Sequence, residues 1–268
     1  MEFDIELASY TDIGKIREKN EDSVIIAPEL CLGAVADGMG GHNAGEVASN
    51  LAVSILRQTI ADVNAKKIVI PRDFEPALAR IQRKLLYAAS VANIRIYTLA
   101  TENYRRRGMG TTLSAVYIEN ENNAAAVHIG DSRIYLLRDK KLIQVSKDHS
   151  YVMEQVARGI ITKEQAEKSR IQNVLTKALG LKKDIKCDTI PLYPKIGDVF
   201  MLCSDGVNKG IRESEIYEIM SKPLSSGKMC QAIVKKSAEV DGKDNVSCVV
   251  VKILEKKEKS FLGKLFGN

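Results

Sequence analysis

Ten short strand-like runs, punctuated by turn residues, constrain the fold of this chain more than any other feature of its sequence. They are rich in apolar or β-branched residues, and most follow one another at hairpin spacing, which favours antiparallel sheets over a βαβ array. We therefore predict an α+β fold. The runs are Ile5–Tyr10, Asp22–Ala27, Leu30–Ala36, Thr112–Ile118, Ala124–Ile129, Arg133–Leu137, Leu142–Val145, Ile185–Leu192, Asp198–Cys203 and Val246–Ile253.

Helical patterns fill the gaps between these strands. Apolar residues at helical spacing predict four helices. The first begins near Asn43, and the second runs from the region of Pro76 to about Arg106. The third and fourth are predicted around Glu213–Met220 and Gly227–Val240. The 268 residues, of which 45% are hydrophobic, contain neither an internal repeat nor a low-complexity linker. We expect a single domain over residues 1–254, followed by a basic and apolar tail over residues 255–268.

The segment from about 150 to 180 is predicted to be a helical insert within that domain. Thr162, with Gln165 three residues later, has the pattern of a capping box at a helix start. Gly159 and the polar run Lys163-Glu164-Gln165 are typical of a mobile surface flap rather than a packed core.

The composition argues against several classes of protein. The formal net charge of +6 does not indicate nucleic-acid binding, and an acidic phosphorylated substrate or an ordinary solvated surface explains it equally well. Five dispersed cysteines predict buried thiols in a reducing compartment rather than a zinc site. The first residues do not resemble a secretory signal, and no run approaches about 18 apolar residues. We expect a cytoplasmic protein without a membrane span.

Acidic residues lie where several of the predicted strands begin or end. One Asp-Gly pair is most simply a turn dipeptide, but carboxylates gathered at strand ends repel one another unless a cation lies between them. Oxygen ligands of this kind suit Mg²⁺ or Mn²⁺. The residues are Glu21 and Asp22 at the second run, Asp37 after the third, Asp131 after the fifth, Asp205 after the ninth and Asp244 before the tenth.

An ordered set of motifs resembles a known family. The chain contains, in order, Arg17-x-x-Asn20-Glu21-Asp22, Asp37-Gly38-Met39-Gly40-Gly41-His42, Gly110-Thr111-Thr112, Gly130-Asp131-Ser132-Arg133, Asp148-His149-Ser150, Ser204-Asp205-Gly206 and Asp244-Asn245. This set is similar to the metal-dependent serine/threonine protein phosphatases of the 2C type, especially the compact bacterial members, over residues from about 5 to 253. The resemblance implies a four-layer αββα sandwich of two antiparallel sheets flanked by helices.

The resemblance also implies a pair of central Mn²⁺ or Mg²⁺ ions. Asp37 matches the carboxylate that bridges the two ions. Glu21 and the carbonyl of Gly38 match ligands of one ion, and a glycine at that position lets the backbone come close. Asp205 and Asp244 match ligands of the other ion.

Three further roles follow from the same resemblance. Asp22 matches the carboxylate that orients metal-bound water, and Asp131, together with Asp205, matches a third metal site of bacterial members. Arg17 matches the residue that grips the substrate phosphate with its planar fork. The implied reaction is hydrolysis of phosphoserine and phosphothreonine by a water that the two ions activate, without a cysteine nucleophile.

The chain departs from the family pattern at Met39. Some members have a histidine there that can protonate the leaving oxygen. His42 is not an obvious replacement, so a metal-bound water is the expected proton donor.

Two alternatives stand beside a phosphatase that acts on many phosphoproteins and counteracts a Hanks-type serine/threonine kinase. One is a phosphatase dedicated to a single regulatory protein, although such proteins usually carry sensor domains. The other is an inactive binding module on the same fold, which would be expected to have lost metal carboxylates. We expect a monomer.

Two histidines, a basic run and the C-terminal tail are the remaining features of the sequence. His128 fits an ordinary strand position better than a catalytic one, and His149 is expected to anchor the insert. The basic run from Tyr104 to Gly108 suits a helix end better than a substrate site. The C-terminal tail suits a disordered end, with weak association to an anionic membrane or a partner groove as the alternative.

Overall fold

Eleven strands and seven helices are found in the computed structural model, which describes residues 3–40 and 44–256. The strands are β1 Phe3–Asp12, β2 Asp22–Ala27, β3 Leu32–Met39, β4 Gly110–Thr111, β5 Leu113–Asn120, β6 Asn123–Ile129, β7 Arg133–Arg138, β8 Lys141–Gln144, β9 Asp188–Leu192, β10 Val199–Cys203 and β11 Val246–Glu255. The helices are α1 Ala44–Asn64, α2 Arg80–Glu102, α3 Tyr151–Ala157, α4 Lys163–Glu167, α5 Asp205–Gly210, α6 Glu213–Met220 and α7 Ser226–Val240.

The strands form two antiparallel sheets. The first has the order β1-β11-β10-β7-β8, and the second has the order β2-β3-β5-β6-β9 with β4 paired to β3. Alternating side chains of both sheets, among them Val35, Val116, Phe200 and Val249, are fully or almost fully buried in one apolar cluster between the sheets.

Helices cover both outer faces of this pair of sheets. One apolar cluster joins α1 and α2 to the second sheet, and another joins α5, α6 and α7 to the first. The order of layers is therefore helix, sheet, sheet, helix, which confirms the predicted α+β class and the αββα sandwich.

Several element bounds differ from the sequence prediction, and those of β3 and α2 affect the site and the basic run. β3 begins at Leu32, because a 3₁₀ turn occupies Pro28–Leu30 and Cys31 adopts a left-handed conformation with φ of 52°. It also continues past Ala36 to Met39, where it pairs with β4, a two-residue strand that the sequence pattern did not reveal. α2 ends at Glu102, so the basic run that follows lies beyond the helix.

Two short helices, α3 and α4, lie in the insert, and turns and loops make up most of the rest of it. The capping box at Thr162 and Gln165 is confirmed, since each side chain bonds the other's backbone N–H. The predictions for Asn43, for His42 and for the tail from residue 257 onward lie outside the described residues. Within residues 3–40 and 44–256, no helix is long and apolar enough to cross a membrane.

Candidate active site

A cavity of about 640 Å³ opens where β6, β10 and β11 meet their adjoining loops. Its walls include Asp131, Asp205, Asp244 and Arg17, and α3, α4 and the loop after them supply one side. The structure thus brings residues from four distant parts of the sequence to one opening, beside the insert.

Asp22 and Asp37 face each other across the β2–β3 pair. Burial raises the pKa of Asp22 to about 7. Hydrogen bonds from hydroxyl groups act in the opposite direction, and nearby carboxylates raise the pKa further. Ser204 Oγ donates to Asp22 Oδ2 at 2.7 Å, whereas the buried Asp22 Oδ1 has no hydrogen-bond partner among residues 3–40 and 44–256. Burial, and then repulsion from Asp22, Asp205, Asp131 and Asp244, raises the pKa of Asp37 well above its usual range.

The backbone of Asp37 is fixed by the Gly-Thr-Thr motif of the neighbouring strands. Its N–H donates to Thr112 Oγ1 at 2.8 Å, and its carbonyl accepts from Thr111 Oγ1 at 2.9 Å and from the Thr112 N–H at 2.9 Å. These three bonds hold the carboxylate at a defined depth. They also give the motif a structural explanation that the sequence did not provide.

Gly38 allows α1 to approach the site closely. Its N–H donates to the Glu21 carbonyl at 3.1 Å, and a Cβ at this position would lie 2.1 Å from the Gly45 carbonyl oxygen. A Cβ on Gly45 would in turn lie 2.7 Å from Glu21 Oε1. The two glycines therefore let Glu21 and the start of α1 share a space that side chains would fill.

Lys209 joins the two carboxylates on the other side of the cluster. Its Nζ lies 2.5 Å from Asp205 Oδ2 and 2.9 Å from Asp244 Oδ2. Burial raises the pKa of Asp205 despite Lys209. At Asp244 burial acts in the same direction, but Lys209, Arg17 and the Asn245 N–H together outweigh it, and the pKa is lowered. Asp205 Oδ1 is buried without a hydrogen-bond partner in the described part of the chain.

Asp131 lies on the turn between β6 and β7. Burial, followed by repulsion from Asp205 and Asp148, raises its pKa to about 7. His149 supports this turn, because its Nδ1 accepts from the Gly130 N–H at 3.1 Å and its Nε2 lies 3.2 Å from Asp188 Oδ2. The carbonyl of His149 also accepts from the backbone of the insert, so the residue links insert and turn.

Arg17 is half-exposed at the rim, and its Nη2 lies 2.8 Å from Asp244 Oδ1.

Asn245 ties the preceding loop to the site. Its Oδ1 accepts from the Glu21 N–H at 2.9 Å, and its Nδ2 donates to the carbonyls of Ile13 and Lys19 at 2.9 Å each.

Two further sequence candidates, His128 and Met39, lie in strands. His128 is fully buried in β6, with Nδ1 at 2.9 Å from Ser114 Oγ and Nε2 at 3.0 Å from the Lys147 carbonyl, which agrees with the predicted strand position. Met39 is at the end of β3, opposite Gly110.

The chemistry of this donor set fits a hard divalent cation. All candidate groups are oxygens, they repel one another, and two buried oxygens lack partners. Within residues 3–40 and 44–256, however, no three His, Cys, Asp or Glu side chains already lie in an arrangement that could hold a metal ion. Side chains must therefore shift to coordinate a cation.

The sequence profile of protein phosphatase 2C matches residues 19–254 of the chain. The chain belongs to the protein phosphatase 2C family. Its relatives include the serine/threonine phosphatase Stp of Listeria monocytogenes, 32% identical over 244 residues that cover 90% of this chain and 93% of that protein. Another is protein phosphatase PhpP of Streptococcus pneumoniae, 32% identical over 254 residues that cover 94% and 98% of the two chains.

Solved structures agree with this family assignment. The serine/threonine phosphatase PstP/Ppp of Mycobacterium tuberculosis superimposes with a TM-score of 0.81 at 34% identity, covering 94% of this chain and 99% of that one. The catalytic domain of PstP in complex with two manganese ions gives 0.80 at 32% identity, again covering 94% and 99%. The chain is therefore a serine/threonine protein phosphatase, a hydrolase that acts on phosphoproteins.

Sequence reasoning about this phosphatase missed three side chains that shape the site: Ser204, Lys209 and Asn245. Ser204 and Asn245 lay inside quoted motifs, but a motif does not say which atoms a side chain bonds. Lys209 had one available signal, because it follows Asp205 by four residues, the spacing of neighbours on one helix face. No helix was predicted there.

Proposed function

We propose that this phosphatase binds two divalent cations, Mn²⁺ or Mg²⁺, at the cluster of carboxylates. Asp37 would bridge them, with Glu21 and the Gly38 carbonyl completing one position and Asp205 and Asp244 the other. The observation that carries the proposal is the meeting of like-charged groups from separate strands, with Asp22 Oδ1 and Asp205 Oδ1 left without partners. The PstP domain with two manganese ions supports it as a relative.

A third cation, held by Asp131 and Asp205, is part of the same proposal. Support comes from their common cavity and from the contribution of Asp205 to the raised pKa of Asp131. When bound, the cations supply charge neutralisation at the phosphoryl group and lower the pKa of a water. The side chains then have separate tasks.

Arg17 is proposed to bind the substrate phosphate. It is half-exposed at the rim, so its planar fork can turn from Asp244 to two phosphoryl oxygens. Asp22 is proposed to orient the reacting water through Oδ1, because Ser204 already occupies Oδ2.

The proposal extends to the oligomeric state, the opposing kinase and the compartment. We infer a monomer that counteracts a Hanks-type serine/threonine kinase in the cytoplasm. Five free cysteines, four of them buried, are consistent with a reducing compartment. The alternative of one dedicated regulatory substrate has no separate support in the described residues.

The first prediction tests the activity and its metal requirement together. Protein stripped with EDTA should not hydrolyse phosphoserine or phosphothreonine peptides, and excess Mn²⁺ or Mg²⁺ should restore turnover. Phosphotyrosine peptides serve as the matched control and should be poor substrates. Phosphate release measured with malachite green decides the matter. Full activity in metal-free buffer would contradict the proposed metal dependence.

A further inference from the structure

Lys209 lies where a cation is proposed to bind. It occupies the last turn of α5, one turn after Asp205 at the first position of that helix. Its ammonium bonds the Oδ2 atoms of both Asp205 and Asp244, and all three side chains are mostly shielded, with 26%, 18% and 22% exposure. Lys209 therefore acts as a charge bridge between the two carboxylates.

This bridge occupies one oxygen, Oδ2, of each of the two carboxylates that are proposed to hold a cation. A divalent cation and an ammonium cannot both lie against the same pair of carboxylates without strong repulsion. The other proposed position is different, because Asp37 makes no ion pair among the residues described here. Asp205 and Asp244 are thus paired with cationic side chains of the chain itself, whereas Asp37 is surrounded mainly by other carboxylates.

We propose that Lys209 is an internal counter-cation that a metal ion must displace from Asp205 and Asp244. This makes the Asp205–Asp244 position the weaker of the two central sites, so that it fills after the Glu21–Asp37 position. The inference rests on the proposed ligand assignment of Asp205 and Asp244. Lys209 is a positioning residue in this scheme, and its long flexible stem allows the ammonium to swing into the cavity when the ion arrives.

The scheme has two linked consequences. Without metal, Lys209 offsets the repulsion between the buried carboxylates and stabilises the folded protein. With metal, the ion must replace two charge-assisted contacts before it binds, which weakens its apparent affinity. Removal of the ammonium should therefore lower the stability of the metal-free protein and strengthen binding of the second ion.

Calorimetric titration of EDTA-stripped, dialysed full-length protein with MnCl₂ tests both consequences, with thermal unfolding measured in EDTA. For Lys209→Met, the Kd of the weaker central site should fall by about tenfold or more, within the range of changes next to metal ligands. The Tm in EDTA should fall as well. Lys243→Met is the matched control, since Lys243 is exposed and pairs with Asp241 at 3.2 Å rather than with the site carboxylates.

Two further variants keep the test decisive. Lys209→Arg keeps the positive charge and serves if Lys209→Met fails to fold; it should bind the second ion no more tightly than the parent. Asp205→Asn should lose one central ion. If Asp205→Asn loses an ion but Lys209→Met leaves both affinities unchanged, the displacement scheme is wrong and the ligand assignment stands. If Asp205→Asn keeps full stoichiometry, the ligand assignment itself is wrong.

Discussion

Two groups of polar side chains in this phosphatase, each with buried charged members, are built in opposite ways. Under α1 and α2, Lys84, Asn64, Tyr117 and Glu119 form a closed cluster, here called the Lys84 cluster. Lys84 Nζ pairs with Glu119 and donates to Asn64 Oδ1 at 2.8 Å, and the Tyr117 hydroxyl donates to Glu119 Oε1 at 3.0 Å. Its charges balance, and every partner comes from the chain.

The carboxylates of the site, in contrast, repel one another and leave oxygens without partners. A buried group without a partner lowers stability, whereas a balanced pair can be tolerated. The chain thus supplies partners for the charges of the Lys84 cluster, where only stability is at stake. The unbalanced cluster is therefore the one that a ligand must complete.

Asp37→Asn is expected to have the largest effect on the unbalanced cluster. Loss of the proposed bridging carboxylate should lower kcat/KM by about 1,000-fold or more, the upper range for loss of one electrostatic contributor. Thermal unfolding in EDTA should move upward, because one of several mutually repelling charges is gone. Steady-state kinetics and calorimetry measure the two effects. An active variant, or one less stable in EDTA, would remove Asp37 from its role.

Lys84→Met should give the reverse result. The buried Glu119 loses its cation, so the free energy of unfolding should fall by about 3 kcal/mol, as for other broken buried pairs. The kcat per folded molecule should stay unchanged. Urea unfolding measures the loss, and the double variant Lys84→Met/Glu119→Gln should recover part of it. A stable Lys84→Met would mean that the Lys84 cluster contributes little to folding.

Arg17→Ala should have an intermediate effect at the rim of the cavity. Loss of two charge-assisted bonds to the phosphate should raise KM by about 30-fold, within the range for hydrogen bonds to charged groups. Lysine at this position should restore only part of the loss, because it lacks the planar fork. Metal affinity by calorimetry is the internal control and should change little. An unchanged KM would exclude phosphate binding by Arg17.

The smallest effect is expected for Asp131→Ala. Two ions should still bind tightly, while kcat falls by about tenfold, as for residues that support a metal site from its edge. Metal stoichiometry and kcat on a phosphopeptide should be measured together across Mn²⁺ concentrations. Parent-like turnover at every concentration would show that no third catalytic site is present at Asp131.

The antiparallel strands, the α+β class and the acidic strand ends could be predicted because their signals are local in sequence, whereas the αββα order of layers followed from the family resemblance. Each strand carries its own apolar pattern, and each acidic residue is next to a strand end. The short pairing of β4 with β3 left no such signal, since two residues are too few for a period. Its partner segment, Asp37 to Met39, looked like a turn because Gly38 is in it.

Pairings between distant residues account for the rest of what the sequence did not reveal. The bond between Ser204 and Asp22 joins residues 182 positions apart, and the contact between Lys209 and Asp244 depends on β10 lying beside β11. No local pattern encodes such a distance. The Lys84 cluster could not be predicted either, because its members come from α1, α2 and β5, and helical spacing places Lys84 beside the apolar face without naming its partners.

The turn at the far end of the β2–β3 hairpin has a consequence for how this enzyme can vary. Pairing runs without interruption from Ala27 opposite Leu32 to Asp22 opposite Asp37. Because side chains alternate between faces, a shift of this pairing by one residue would place Asp22 beside a different partner and reverse the faces of one strand. The turn at Pro28–Leu30, closed by Cys31 in a left-handed conformation, ends the hairpin five pairs away from Asp22 and Asp37. Any change of this turn must therefore keep the pairing that holds the two carboxylates opposite each other.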